Sequence, residues 1–333
     1  MNRRKFLMNS GSAGVAVSLL GLYACKQKTE KPSDLPEAMA SADPFFKLSL
    51  AQWSIHRMIW DGSVSPMDFA AKASGWGFEG LEYVSQLYAK ELEKYSGAAN
   101  PMEQLVKELK KRSDDHGMKN QIMMVDLPEE EGVMATPDQT LRKAGVENHF
   151  KWVDATAGLG CHSMRVNLFG SKDPEVWKEN SIASLTELSE YAAKQNVNVI
   201  VENHGWLSSD AALLAEVLTA VGMDNCGTLP DFGNFCVKRD GEGNWGGDCV
   251  EEYDMYQGVG ELMPFAKGVS AKSYDFNAKG NETKIDYLKM MKIVKDAGYT
   301  GYVGVEYEGD RLSEEEGILA TKALLLKVAG ELA

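Results

Sequence analysis

Four acidic residues stand where apolar runs of the chain end. Glu202 closes "VNVIVE" and is followed at once by Asn203 and His204, Asp231 ends "TLPD", Glu306 sits in "GVEYEG" and Glu82 in "GLEYVS". Charge is seldom left at the end of a buried strand unless something pairs with it, and a metal ion or a substrate is the usual partner. Three carboxylates brought to one spot repel one another strongly, so Glu202, Asp231 and Glu306 together point to one divalent cation between them. Taken singly, each could equally be a capped or salt-bridged strand end. Oxygen-rich ligation favours Mn, Mg or Co, and a histidine in the shell would admit Zn.

The elements that must position these residues follow from the hydrophobic pattern. From residue 46, strand-like runs alternate with helix-like stretches: "FKLSLAQWS" precedes "SPMDFAAKASGWG", "GLEYVS" precedes "PMEQLVKELKKRSDDHG", and "KNQIMMVD" precedes residues 137 to 159. "HSMRVNL", "VNVIVEN", "CGTLPDF", "GVSAKSY" and "GYVGVEY" continue the series, each with its helix. Eight such units predict a parallel sheet covered by helices, and the length suits a closed (β/α)8 TIM barrel over residues 44–333 as a single domain. No Gly-rich dinucleotide fingerprint follows the first strand. Several helices are expected to end on a glycine, as in "DDHGMKN", "AGLGCHS" and "DAGYTGY". Residues 236 to 250, "CVKRDGEGNWGGDCV", form the longest irregular stretch and suit a mobile loop over the site.

In such barrels chemistry gathers at the C-terminal ends of the strands. The motifs there, "IVENHG", "TLPDFGNF", "SAKSYDF" and "GVEYEG", with "LSLAQWSIHR" at the first strand, resemble the xylose isomerase-like TIM barrels, a group of sugar and sugar-phosphate isomerases and epimerases that also includes endonuclease IV. The resemblance implies a metal held by Glu202, Asp231 and Glu306. The family's ligand histidine after the seventh strand does not map: Ser270 stands in its place in the "HxK" pattern, with Lys272 in the lysine position. The fourth coordination position is then left to water, substrate or His204.

The resemblance also implies proton abstraction next to a carbonyl through an enediolate. Glu202 and Glu306 are the acid/base candidates, one on each face of the substrate. His204 either donates to a substrate oxygen, ligates the metal, or is held by a backbone carbonyl. Lys272 either neutralises the enediolate or pairs with Asp275. Asn234 matches a family position that touches substrate, and Arg165 points into the barrel or into a buried ion pair. Trp53, His56, Glu82 and Asn203 complete the expected substrate contacts. Of Trp53, Trp60, Tyr83, Trp206, Phe232 and Tyr307, only two or three are expected to touch a ligand, since most barrel aromatics pack. His116, His149 and His162 read as structural.

A metal-dependent sugar isomerase or epimerase is the leading reading. A metal-dependent lyase that eliminates the aglycone from 3-keto-glycosides would use the same residues, and a noncatalytic sugar-binding lipoprotein would fit Ser270. With a formal charge of −14 and five histidines, the chain suits neither a nucleic-acid partner nor a histidine-rich multinuclear nuclease centre. The partner expected is a small-molecule carbohydrate, and a homo-oligomer stays open.

Residues 1–24 read as a twin-arginine signal peptide, with Arg3 and Arg4 ahead of the short apolar run "GVAVSLLGLYA". "LYAC" resembles a lipobox, which would acylate Cys25 and leave residues 25–43 as a flexible tether. The chain is then expected to be exported and periplasmic, touching the membrane through that N-terminal lipid anchor alone. Export permits disulfides, but Cys161 and Cys226 each precede a strand-like run, and buried free thiols are the favoured reading of the remaining cysteines.

Overall fold

A strand whose side chains alternate between a barrel lumen and an outer layer of helices needs apolar residues on both faces, and the fifth strand shows it. Val199 and Val201 pack into the outer core while Ile200 joins Ala51, Val84, Leu87, Ile122, Met124 and Leu229 in a second, inner cluster. The same alternation carries Glu202 onto the face of Ile200.

The computed structural model describes residues 43–128 and 130–333. The signal segment, Cys25 and the tether through residue 42 lie outside them. Eight parallel strands make the main sheet: β1 Lys47–Ala51, β2 Gly80–Val84, β3 Lys119–Met124, β4 Ser163–Val166, β5 Asn198–Glu202, β6 Cys226–Leu229, β9 Val269–Ser273 and β10 Tyr302–Tyr307. Their order is β6-β5-β4-β3-β2-β1-β10-β9, and parallel bridges Thr228–Ala266 and Asp231–Ser270 join the two end strands. The Ser270 amide donates to the Pro230 carbonyl at 2.9 Å, so the sheet closes as the (β/α)8 barrel that the alternation predicted.

Asn100, Asp138, Asp173, Asp210, Asp254, Asp286 and Ser313 each cap the N-terminus of an outer helix through the side chain. Gly160 closes the helix Gln139–Leu159 in the left-handed region at φ 82°, a position a side chain would strain. Gly304 answers a different need, because a Cβ there would lie 2.5 Å from the Glu82 carboxyl oxygens inside the lumen.

Residues 236 to 250 depart from expectation. Their two ends pair as an antiparallel hairpin, β7 Cys236–Arg239 with β8 Cys249–Glu252, and residues 240 to 248 between them are irregular. Cys236 and Cys249 are joined by a disulfide with Cα atoms 5.8 Å apart, which corrects the free-thiol reading for this pair, whereas Cys161 and Cys226 are buried and free. The glycines, at 241, 243, 246 and 247, lie in the tip between the two strands, and the cross-link joins the first residue of one strand to the first of the other. Asp240 accepts from the Asp248 amide at 2.8 Å, and the Asn244 carbonyl accepts from the Trp206 indole at 2.8 Å, tying the hairpin tip to the barrel.

Closing a loop of this size removes on the order of 3 kcal/mol of chain entropy from the open hairpin. The double substitution Cys236→Ser, Cys249→Ser should therefore leave the barrel's far-ultraviolet circular dichroism unchanged and speed tryptic cleavage after Lys238 and Arg239 at least tenfold. Equal cleavage rates with and without the disulfide would show that the hairpin is held by its other contacts.

Candidate active site

Strand ends bring the acidic residues together. Glu202 is the last residue of β5, Asp231 lies two residues beyond β6, and Glu306 is next to last in β10. One carboxylate oxygen from each lies within 4.8 Å of one from each of the others, and all three residues are buried. Asp231 is fixed twice. Its Oδ1 accepts from the amides of Gly233 and Asn234 at 2.8 Å each, and its own amide donates to Asn203 Oδ1 at 2.8 Å. Asn203 in turn donates to the carbonyls of Asp231 and Asn234 at 3.0 and 3.1 Å, so it is a tie between two strand ends and not the substrate contact expected of it.

The ligand-histidine position holds a hydroxyl. Ser270 Oγ lies 2.8 Å from both Asp231 Oδ2 and Glu306 Oε2, and its single proton serves one of them at a time. Lys272, fully buried two residues later, places its ammonium 3.0 Å from Glu306, 3.2 Å from Glu308 and 3.6 Å from Asp231. It does not pair with Asp275, which is taken by Arg311 at 2.6 Å. Across the lumen Arg165 stands between Asp126 at 2.6 Å and Glu202 at 2.9 Å, its Nε forming an ion pair without hydrogen-bond geometry.

Acid outnumbers base here: Glu82, Asp126, Glu202, Asp231, Glu306 and Glu308 surround Arg165 and Lys272. Burial, opposed in part by Arg165 and reinforced by Glu306, pushes Glu202 up to about 7. Burial, eased by Lys272 but reinforced by Glu202 and Glu306, pushes Asp231 up to about 8. Burial alone would raise Glu306 too, but the charge and hydrogen bond of Lys272, with the Ser270 hydroxyl, hold it below the usual carboxylate range. Oxygens on opposite sides of a six-coordinate Mg2+ lie about 4.2 Å apart, so the three carboxylates have the spacing and the surplus charge that a hard divalent cation needs. Glu202, Asp231 and Glu306 would hold it.

His204 is tied to the carboxylates through Asn167, Asp126 and Arg165. Asn167 donates through Nδ2 to Asp126 at 2.8 Å, which leaves its Oδ1 to accept from His204 Nδ1 at 2.8 Å. Burial and the neighbouring Arg165 push His204 down to about 4, so the ring is neutral near pH 7. A neutral ring with its proton on Nδ1 presents Nε2 as an acceptor, which corrects the expectation that His204 donates to a substrate oxygen. The backbone is strained at the next turn, where Trp206 sits at φ 55° with Lys172 3.1 Å over its ring.

A cavity of about 480 Å3 opens above the carboxylates, and Glu306, Glu308, Arg165, His204, Asn234 and Trp53 are among its lining residues. Glu202, Asp231 and Lys272 lie beneath it. His56 does not line it: the ring stacks on Trp53 with centroids 4.3 Å apart, and its Nδ1 pairs with the Trp53 carbonyl. Glu82 does not line it either. It is deep in the lumen, accepting from Ser49 at 2.5 Å, and burial pushes it up to about 8. Of the six aromatics singled out in the sequence Trp53 alone reaches this cavity; Tyr83, Phe232 and Tyr307 are buried in the outer core.

Several lining residues were not singled out. Asp126 ends the run "IMMVD" and Glu308 lies two residues past Glu306, and both could have been read from strand alternation. Asn167, two residues past Arg165, follows the same alternation, whereas Phe169 and Trp245 carry no such signal, since they reach the cavity from a loop and from the hairpin tip.

A family model described as the xylose isomerase-like TIM barrel matches residues 70–328. The chain belongs to that family. Among solved structures, a D-psicose 3-epimerase crystallised in the presence of D-fructose is 15% identical with a TM-score of 0.60, over 86% of this chain and 100% of that one. A 3-keto-D-glucoside 4-epimerase from E. coli is 13% identical with a TM-score of 0.58, over 79% and 94%. A xylose isomerase-like TIM barrel protein from Mycobacterium smegmatis in complex with magnesium is 14% identical with a TM-score of 0.55, over 86% and 98%. At these identities the likeness is one of fold. No curated protein matches the chain by sequence.

The raised carboxyls make stability depend on pH in a definite direction. Unfolded carboxyls titrate near about 4, whereas Asp231 and Glu202 keep protons up to about 8 and 7. The stability from those protons is present below the unfolded value and is lost as pH rises through 7 to 8. The protein stripped of divalent ions should therefore lose thermal stability between pH 5 and 8. Mn2+ or Mg2+ must displace the protons, so calorimetric titration in two buffers of different ionisation enthalpy should show proton release at pH 7. Binding with no proton release would contradict the raised values.

Proposed function

We propose that the protein is a divalent-metal-dependent sugar isomerase or epimerase that moves a proton on the carbon next to a carbonyl. The observation that carries this reading is the pair Glu202 and Glu306: two buried carboxyls on one cation site, under one cavity, with pKa values driven apart. The cation, when bound, supplies Lewis-acid stabilisation of the negative charge that develops on the carbonyl and its neighbouring hydroxyl, worth several kcal/mol.

Glu306, kept ionised by Lys272, is the carboxylate that takes the proton from carbon. Glu202, which burial pushes up to about 7 in the metal-free site, is the second acid/base carboxylate; once the cation has displaced its resting proton, the proton it returns is one taken up from solvent. Asn234 donates to Glu202 at 3.3 Å and Arg165 sits 2.9 Å from its other oxygen, so the acid is oriented from two sides. Lys272 acts through Glu306 and is a positioning residue. His204 Nε2 accepts from a substrate hydroxyl, and Trp53 offers a ring face to the apolar side of the sugar.

An uncharged sugar suits the cavity better than a sugar phosphate. Among the described residues that line it, Arg165 is the sole cation, and two carboxylates already engage it. The acidic chain and its export-type leader agree with a free sugar met outside the cytoplasm, by a lipoprotein anchored through Cys25.

Incubation of the Mn2+-loaded protein in D2O with D-fructose, D-psicose, D-tagatose and 3-keto-glucosides should place deuterium at the carbon next to the carbonyl of at least one of them. Glu306→Gln and Glu202→Gln should each lower that rate by about 100- to 10,000-fold, the usual share of a general acid or base. Lys272→Met should lower kcat with little change in KM. Sugar binding without any exchange would leave a binding module; loss of an aglycone on exchange would make the protein a lyase.

A further inference from the structure

The mouth cavity has a neighbour. A second cavity of about 260 Å3 shares Asn234 and Trp245 with it and is lined on its far side by Arg239, Glu252 and the Cys236–Cys249 disulfide. The Trp245 indole stands between the two, resting on Gly205, where a Cβ would meet the ring at 3.4 Å. It is 51% exposed although its ring lies tilted against His204 at 4.7 Å and edge-on to Phe169 at 5.9 Å, so about half of the side chain is open to a ligand. The partition is built, because the disulfide and the Trp206–Asn244 hydrogen bond hold the hairpin tip from both sides.

Chemistry in the second cavity is unfinished. Arg239 spends Nη1 on the Gly247 carbonyl at 3.2 Å, but its Nε is buried with no hydrogen-bond partner. That Nε is shut off from the cavity as well as from solvent, so what Arg239 offers a ligand is the rest of its guanidinium. Glu252 and Lys284 line the same cavity, so it offers an acceptor and a second donor beside Arg239. A donor, a carboxylate and an aromatic edge match the alternating hydroxyls and C–H faces of a neutral pyranose.

We propose that this cavity is a second sugar subsite, and that the substrate is a two-ring glycoside whose reacting keto ring lies over the carboxylates while the other ring crosses Trp245 to meet Arg239 and Glu252. The inference rests on the isomerase or epimerase reading and names its substrate class. The cavity has room for one further ring.

Isothermal titration of the Mn2+-loaded protein with D-fructose and with the keto-disaccharides lactulose, turanose and palatinose tests it. At least one disaccharide should bind tenfold or more tightly than D-fructose. Arg239→Ala should remove that gain and leave D-fructose affinity unchanged, and the charge-keeping Arg239→Lys should restore part of it. If D-fructose binds and exchanges deuterium while no disaccharide gains, the second subsite is wrong and the proposed reaction stands. If Arg239→Ala weakens D-fructose as much as the disaccharide, the subsite is also wrong. If no sugar binds or exchanges, both readings fall together.

Discussion

Carboxylates gathered in a dry place are the constraint around which this barrel is arranged. Glu202, Asp231 and Glu306 meet with oxygens within 4.8 Å, and Glu82, Asp126 and Glu308 add to the same field. Two fixed cations answer part of that charge, Arg165 on one side and Lys272 on the other. The remainder must be met by protons or by a bound cation, and the two compete. Buried charge on this scale would be a liability in a protein selected for stability alone.

The fold supplies the rigidity that such a cluster requires. Parallel strands put the acids on one rim, and side-chain alternation decides which of two neighbours faces the lumen: Ile200 and Glu202 inward, Val199 and Val201 outward. Asn203 laces β5 to the turn after β6 with three hydrogen bonds, so Asp231 cannot move without Glu202. The bridge from Asp231 to Ser270 closes the barrel at the point where the ligand set is completed. Closure of the sheet and assembly of the site are thus one event in the structure.

Much of this was legible in the sequence because it depends on local pattern. The eight strands, the closing glycines and the acids at strand ends follow from periodicity, and the motifs around Glu202, Asp231 and Glu306 carry the family. The misreadings have a common origin. Asn203, His56 and Glu82 sit at the right height in the chain, yet their partners are the Asp231 and Asn234 carbonyls, the Trp53 carbonyl and Ser49, which no spacing rule reveals. The tautomer of His204 depends on an asparagine 37 residues away. Trp245 is reached only through the Cys236–Cys249 cross-link, and cysteine pairing cannot be read from spacing alone.

The account stands on a single divalent cation balancing Glu202, Asp231 and Glu306, so counting that ion is the most direct test of it. Metal analysis by mass spectrometry of the native protein and of Asp231→Asn, after equilibration with Mg2+, Mn2+, Co2+ and Zn2+ in competition, should find about one ion per chain in the native protein and almost none in the variant. A native protein that holds no stoichiometric ion, or a variant that holds it equally well, would contradict the account and leave Arg165 and Lys272 as the sole counter-charges of the site.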